Sequence, residues 1–161
     1  MQKMLYYLAL LLICNNCIAQ TNATESRNKQ LALLWCFADN NHNIDSCLLM
    51  MAPNVIEYND GGMAPQYGKD AMRPGFIAWY NAFPDYKVTN LTAYANGDSV
   101  VVIADCSATF KNDLGPLKAT GKHVTWKDAG IFTFDKNGLI TSHRGIQSFK
   151  GIMLQAGLVL Q

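Results

Sequence analysis

The sequence GIFTFDKNGLITSHRG, residues 130–145, carries the clearest structural information in the chain. Runs rich in β-branched and aromatic residues flank Asp135–Gly138, and Asn-Gly between two such runs is the strongest short-range indication of a β-hairpin. We therefore predict strands over Lys122–Phe134 and Leu139–Phe149. A turn of two residues or of four would place even-numbered residues of the first strand opposite odd-numbered residues of the second.

The rest of the chain divides into extended and helical segments around this hairpin. Turn sequences and β-branched runs predict three further strands, at Val55–Asn59, Tyr86–Ala95 and Ser99–Phe110. Apolar residues at three- and four-residue spacing predict four helices, at Ala23–Asn40, Asp45–Met51, Lys69–Phe83 and Gly151–Leu158. Helices that precede an antiparallel meander of strands are typical of the α+β class, with the helices packed on one face of the sheet.

The first 19 residues have the three-part pattern of an export signal. Lys3 supplies the positive charge, Leu5–Ile13 is an apolar run, and Ala19 is a small residue before Gln20. This run is too short to span a bilayer, which takes about 20 residues. We predict a signal peptide at 1–19, cleavage before Gln20, a secreted or periplasmic location, and no membrane span in the mature chain.

Composition limits the remaining residues, 20–161, to one neutral domain. Without Lys3 the chain has 12 basic and 12 acidic residues, so the mature domain carries no net charge. About 140 residues can bury roughly two-thirds of their unfolded surface, which is enough for one core. A neutral chain lacks the basic face that a phosphate backbone requires, so we predict no nucleic-acid partner.

Three cysteines remain after removal of the signal peptide, and an odd number cannot pair completely. Cys36 and Cys47 lie on adjacent predicted helices and could form one disulfide in an oxidising compartment. An equal alternative is that Cys36, Cys47 and Cys106 are unpaired and pack in the core as small apolar side chains. A lipoprotein would need Cys14 or Cys17 as the modified residue, and it is a weaker alternative because neither follows a small residue.

Six segments occur in the same order as in the SnoaL-like polyketide cyclases. They are MAPNVIEYNDGG (51–62), YGKDAM (67–72), NAFPDYKV (81–88), ANGDSVVV (95–102), KATGKHVTW (118–126) and the hairpin sequence. Over about residues 27–157 the chain therefore resembles this family, part of the NTF2-like superfamily to which the ketosteroid isomerases also belong. The resemblance implies a cone-shaped curved antiparallel sheet wrapped by helices around a deep apolar pocket, often in a homodimer. It does not determine the reaction, since one fold hosts many functions.

The resemblance also places the relatives' catalytic positions on residues of a different kind. Ketosteroid isomerases use a carboxylate base, a tyrosine and a protonated acid, and the corresponding positions here are Asn59, Trp35 and Gly130. The acidic base of the cyclases corresponds to about Gly145. The resemblance therefore implies the scaffold without the known catalytic carboxylates, unless Asp60 replaces its neighbour as the base.

Asp128 and His143 form a candidate acid/base pair. Alternation along the strand puts Asp128 on its mostly apolar face, which the resemblance turns toward the pocket. Either hairpin register brings His143 to the same face, whereas a three-residue turn would send it outside. A carboxylate beside a histidine in an apolar cavity can fix the imidazole tautomer. The alternatives are a structural Asp128, and a His143 in solvent or at a dimer interface.

The resemblance implies a pocket, and we expect part of the chain's aromatic residues to line it and to hold a small hydrophobic ligand. Glu57 is a second candidate acid, and His42 and His123 are expected in solvent. We predict no cofactor, and no metal because no two histidines are close enough in sequence for a local site. The predicted ligand-binding residues are Trp35, Glu57, Asn59, Trp79, Trp126, Phe132 and Gln147.

These features support two functions. The first, favoured by the missing carboxylates, is an exported protein that binds a small hydrophobic molecule. The second is a cofactor-independent acid/base enzyme of the cyclase, isomerase or dehydratase type that uses Asp128 and His143. The resemblance further implies a homodimer, in which the outer face of the sheet, with Ile103 and Ile131, would be covered.

Overall fold

A computed structural model of the protein describes residues 23–59 and 64–158. The predicted signal peptide, its cysteines and the alternative base Asp60 lie outside these residues. The described helices are α1 (23–40), α2 (Ile44–Leu49), α3 (Lys69–Ala82) and α4 (Phe149–Gln155). The described strands are β1 (Met51–Glu57), β2 (Gln66–Tyr67), β3 (Lys87–Asn96), β4 (Ser99–Thr109), β5 (His123–Phe134) and β6 (Ile140–Gly145).

All six described strands belong to one sheet, in the order β2-β1-β6-β5-β4-β3. Strands β3 to β6 form the predicted antiparallel meander, which confirms the α+β class. The expectation of a wholly antiparallel sheet is wrong at one place, because β1 runs parallel to β6. This parallel pair brings Glu57 directly beside His143 in the register.

Strand β1 begins at Met51, four residues before its predicted start. Pro53 and Asn54 are exposed, and the pairing of β1 with β6 shifts register between Met51 and Ile56. Proline is tolerated in a sheet at such irregularities because they leave its position without a ladder hydrogen bond. The proline therefore marks a bulge within the strand.

The predicted pairing is present, but the turn is not the predicted one. Phe132 pairs with His143 and Gly130 with Gly145, as expected. Beside the turn, however, Phe134 pairs with Ile140, and the Asp135 N–H donates to the Leu139 carbonyl oxygen, so three residues separate the two strands there. A register shift between Thr133 and Phe134 then restores the even-to-odd pairing and keeps His143 on the predicted face.

Strand β6 ends at Gly145, before its predicted end, because α4 follows at once. Ser148 caps α4, its Oγ accepting a hydrogen bond from the backbone N–H of Gly151.

The core lies between the helices and one face of the sheet. Strand β4 shows this alternation, since the side chains of Val100, Val102 and Ala104 are buried and that of Ile103 is exposed. Two clusters of buried side chains form the core. One contains Trp35, Val55, Met72, Phe132 and Ile140, and the other Phe83, Phe110, Val124, Ile152 and Met153.

The three described cysteines are buried free thiols, and Cys36 and Cys47 do not form the disulfide considered above. Burial raises the pKa of Cys106 to about 12, although a hydrogen bond with Tyr86 acts in the opposite direction. This thiol is thus protonated and poorly nucleophilic at neutral pH. No helix among residues 23–59 and 64–158 combines the length and apolar character needed to cross a membrane.

Candidate functional site

A cavity of about 440 Å³ lies between the sheet and helices α1 and α3, and it opens to solvent. This volume is in the usual range for small-molecule sites. Its walls take residues from both core clusters. The aromatic lining consists of Trp35, Phe76, Trp79, Tyr86, Phe132 and Phe149. The polar lining consists of Asp39, Glu57, Asn59, Gln66, Asp128, His143 and Gln147.

Glu57 and His143 form a hydrogen-bonded pair in the wall of this cavity. The Glu57 Oε2 atom lies 2.6 Å from His143 Nδ1, and each side chain is only 13% exposed. The parallel pairing of β1 with β6 creates the contact, because it makes the two residues direct neighbours. The rings of Trp35 and Phe132 enclose the imidazole, with centroids 5.0 and 4.7 Å from its own.

Three neighbouring acidic side chains affect the pKa of His143. Burial lowers the pKa of the imidazole, but the charge of Glu57, its hydrogen bond, and the charges of Asp128 and Asp39 outweigh burial. The pKa of His143 therefore lies above its ordinary value. With Nδ1 engaged by Glu57, Nε2 is the ring atom left for a ligand, as an acceptor in the neutral form and a donor in the protonated form.

A pair of glycines borders the part of the cavity between His143 and Asp128. A Cβ atom at Gly130 would lie 3.5 Å from His143 Nε2, and one at the paired Gly145 would lie 3.8 Å from Asp128 Oδ1. We call this space, bordered by the two glycines, the glycine niche. The niche therefore lies against His143 Nε2 on one side and Asp128 Oδ1 on the other.

A second acid, Asp39, lies in the cavity wall at the end of α1. It is 9% exposed, and Tyr80 Oη donates a hydrogen bond of 2.5 Å to its Oδ1. Burial raises the pKa of Asp39 and the charge of Asp128 adds to this, against the lowering effects of Tyr80, His143 and Tyr86. The sequence held an indication of this residue, because Asp39 follows Trp35 by four positions and so lies on the same helical face.

His42 is half-buried, and so it is only partly in solvent, where it was predicted to lie. Its ring stacks on that of Tyr80, with centroids 4.4 Å apart and an interplanar angle of 8°, and its Nε2 lies 3.4 Å from the carbonyl oxygen of Tyr86. The positive φ of His42, 56°, turns the chain after α1 so that the ring folds back onto α3. His123 is exposed, as predicted.

Six of the seven predicted ligand-binding residues line the cavity, and Trp126 does not. Its ring stacks behind that of Tyr86, with centroids 5.9 Å apart, so the tyrosine forms the wall at that point. Asp128 and His143 both line the cavity, as expected from the register. The carboxylate on His143 Nδ1 is nevertheless that of Glu57, whereas Asp128 acts on the imidazole through its charge.

Among the residues that the structure describes, no group of three or more His, Cys, Asp or Glu side chains is arranged to hold a metal ion. The cavity lining includes three carboxyl groups, those of Asp39, Glu57 and Asp128, and the imidazole of His143.

Solved structures with the same fold include a candidate SnoaL-like polyketide cyclase from Jannaschia sp. CCS1, with 17% identity and a TM-score of 0.77 over 84% of this chain and 95% of that one. A Catenulispora acidiphila protein with a ketosteroid isomerase-like fold, in complex with trimethylamine, has 18% identity and a TM-score of 0.68 over 80% and 93%. TerC, co-crystallised with polyporic acid, has 17% identity and a TM-score of 0.67 over 82% and 99%. At these identities the likeness shows the fold alone.

No functionally curated protein matches the chain significantly. The sequence profile described as SnoaL-like polyketide cyclase matches residues 28–156, which is most of the chain. Together with the curved six-stranded sheet and its helices, this match confirms the resemblance seen in the six sequence segments. The chain belongs to the SnoaL-like polyketide cyclase family.

Proposed function

We propose that the protein binds a small hydrophobic molecule in its cavity and catalyses proton transfer on it without a cofactor. The observation that carries this proposal is the Glu57–His143 pair, which fixes an imidazole in the wall of an open, mostly apolar cavity. A carboxylate on Nδ1 orients the ring and stabilises its protonated form, as a general base requires. His143 was one of the two residues expected from the sequence to act in this way.

The two sides of the glycine niche take different roles. In its neutral form, His143 Nε2 accepts a proton from a carbon beside a carbonyl group, and Glu57 stabilises the imidazolium that forms. Asp128, on the other side of the niche, supplies a second acid/base group for a proton that is returned elsewhere on the ligand. Transfer between two positions of one molecule is the elementary step of isomerisation and of aldol-type cyclisation.

Binding without turnover is the second candidate function. The resemblance of the sequence to its family implies that Asn59, Trp35, Gly130 and Gly145 correspond to catalytic positions of the relatives, and this implication favours binding alone. Structural neighbours with trimethylamine and with polyporic acid support a ligand in the cavity under either function. The two candidates differ only in whether protons are exchanged.

Deuterium exchange tests the proposal before any substrate is known. We suggest incubating the protein in D₂O with a panel of cyclic ketones and 1,3-diketones, and measuring exchange at the α-carbon by NMR. Wild-type protein should accelerate exchange on at least one compound. The His143→Gln and Asp128→Asn variants should lose roughly 10²-fold or more of that acceleration, the usual contribution of an acid/base group.

His123→Gln is the matched control, since this histidine is exposed and lies outside the cavity lining. It should exchange at the wild-type rate. Ketones that bind to the wild-type protein but show no accelerated exchange would contradict the enzyme and support the binding protein. Equal loss in the His123 and His143 variants would show that the effect is not specific to the site.

Export and assembly are further parts of this proposal. The pattern of residues 1–19 supports export, and N-terminal sequencing of protein from the native envelope or medium should return Gln20 and not Met1. The outer face of the sheet supports a homodimer, because Ile103 and Tyr94 are 42% and 61% exposed there. Light scattering should give twice the monomer mass for the wild-type protein. The Ile103→Lys variant should give a lower mass, closer to that of the monomer.

A further inference from the structure

We infer that the cavity selects ligands that carry a positive charge, namely a protonated or quaternary amine attached to an apolar body. This inference rests on the proposed function in one respect, that the cavity is a ligand site. It names the ligand class, which the family and the fold leave open.

The charges of the lining residues have one sign. Asp39, Glu57 and Asp128 contribute three carboxylates, and His143 is the one side chain with a basic group among the described lining residues. No lysine or arginine is included in that lining. Glu57 balances His143 when the imidazole is protonated, so Asp39 and Asp128 are the further acidic groups that a ligand meets in the lining. The low polarity of the walls strengthens the attraction between a cation and an ionised carboxyl group.

Asp39 and Asp128 act on the same part of the cavity. Burial raises the pKa of Cys36, and the charges of Asp39 and Asp128 raise it further. Burial also raises the pKa of Tyr86, and again both carboxylates contribute. The two acids therefore act on the same region, between α1 and β5. Burial and Asp128 raise the pKa of Asp39, so a bound cation there would favour the ionised form of the two carboxyl groups.

Aromatic faces supply the second requirement for such a ligand. Tyr86 and Trp79 line the cavity, with ring centroids 6.0 Å apart and planes nearly perpendicular at 79°. Both rings are part of the cavity wall, and ammonium groups are attracted to aromatic faces. A neutral ligand gains only the apolar contact, and an anion meets repulsion from the carboxylates.

Two isosteric probes separate charge from shape. We suggest measuring, by titration calorimetry, the binding of (3-hydroxyphenyl)trimethylammonium and of 3-tert-butylphenol, which differ in one central atom and in charge. Wild-type protein should bind the cation about tenfold or more tightly than the neutral isostere, and should not bind the anion 4-isopropylbenzoate measurably. The Asp39→Asn and Asp128→Asn variants should each reduce this preference, and the double variant should abolish it.

Asp98→Asn is the matched control, because Asp98 is exposed in the β3–β4 turn and its variant should keep the wild-type preference. Circular dichroism would establish that the variants are folded. The comparison of the cation with its neutral isostere on the wild-type protein tests the inference even if a variant does not fold. Equal or tighter binding of 3-tert-butylphenol would overturn the inference while leaving the cavity as a ligand site. Failure of the wild-type protein to bind any of the three probes would overturn the inference and count against the proposed function as well.

Discussion

Two cross-strand ion pairs on opposite faces of the sheet differ sharply in their surroundings. Glu57 and His143 meet in the cavity wall, where each side chain is 13% exposed. Asp105 and Lys127 are direct partners in the β4–β5 register on the outer face, where their side chains are 38% and 77% exposed. Both pairs join one carboxylate to one base across neighbouring strands, so their difference is one of environment.

The environment decides what each pair can do. A hydrogen bond from Lys127, followed by one from Asn90, lowers the pKa of Asp105, and water solvates both partners. Such pairs contribute little to stability. Glu57 and His143 lose hydration on folding, and this desolvation offsets much of their mutual attraction. A buried pair with a shifted pKa is therefore better explained by a function than by a contribution to stability. The four predictions that follow test this difference, from the largest expected effect to the smallest.

Glu57→Ala should give the largest loss of stability. It leaves the His143 imidazole beside Asp128 and Asp39 without its hydrogen-bond partner, and breaking a buried pair costs roughly 3 kcal/mol or more. Because each side chain keeps some exposure, we expect the lower end of that range, measured by urea unfolding. If Glu57→Ala lowers the free energy of unfolding no more than Asp105→Asn does, the Glu57–His143 pair contributes as little as a surface ion pair, and this prediction is wrong.

Gly130→Ala should come next, since it fills the glycine niche. The new Cβ would lie 3.0 Å from Cε2 of Phe132, a ring that the core holds in place. Overpacking of this kind costs about 1–3 kcal/mol, and ligand affinity should fall with it. Gly145→Ala is the control, because its Cβ would meet Asp128 Oδ1 at an ordinary 3.8 Å and φ there is not positive. Equal destabilisation by both variants would contradict the geometry of the niche.

Asp85→Asn tests a carboxylate of intermediate exposure. The Thr109 backbone N–H and Oγ1 each donate a 2.7 Å hydrogen bond to it. Desolvation raises the pKa of Asp85, but these bonds outweigh it and hold the pKa below its ordinary value. The ionised carboxylate therefore stabilises the fold fully above the ordinary pKa. This stabilisation is lost as pH falls through the lower pKa of the folded state. The variant should lose about 1 kcal/mol at neutral pH and progressively less below pH ~4. Urea unfolding at several pH values measures this. If the difference in free energy of unfolding between the wild type and Asp85→Asn did not change with pH, the ionised form of Asp85 would not be the source of the stabilisation.

Asp105→Asn should have the smallest effect. Its carboxylate is solvated on the outer face, so the urea midpoint should match that of the wild type within experimental error. A loss comparable to that of Glu57→Ala would remove the contrast between the two faces.

The sequence was sufficient for the parts of the site that depend on local pattern. Alternation predicted the pairing of Phe132 with His143 and put Asp128 and His143 on the cavity face. The register shift beside the turn, without which His143 would lie on the other face, was not predicted. The Glu57–His143 contact was not predicted, because it joins residues 86 positions apart through a parallel pair that no local pattern encodes. Trp126 was misplaced for a related reason, since strand alternation gives its face but not the Tyr86 ring that covers it.

The protonation of His143 tests the central claim most directly. We expect an NMR titration of its Cε1–H resonance to give a pKa above the ordinary value of 6.5, because Glu57, Asp128 and Asp39 together outweigh burial. The pair's contribution to stability should accordingly be complete below pH 6.5 and disappear as pH rises through the folded-state pKa. In Glu57→Gln the pKa of His143 should fall, since the largest opposing charge is gone and burial remains. A His143 pKa that is unchanged by Glu57→Gln, or that lies below 6.5 in the wild type, would contradict the account.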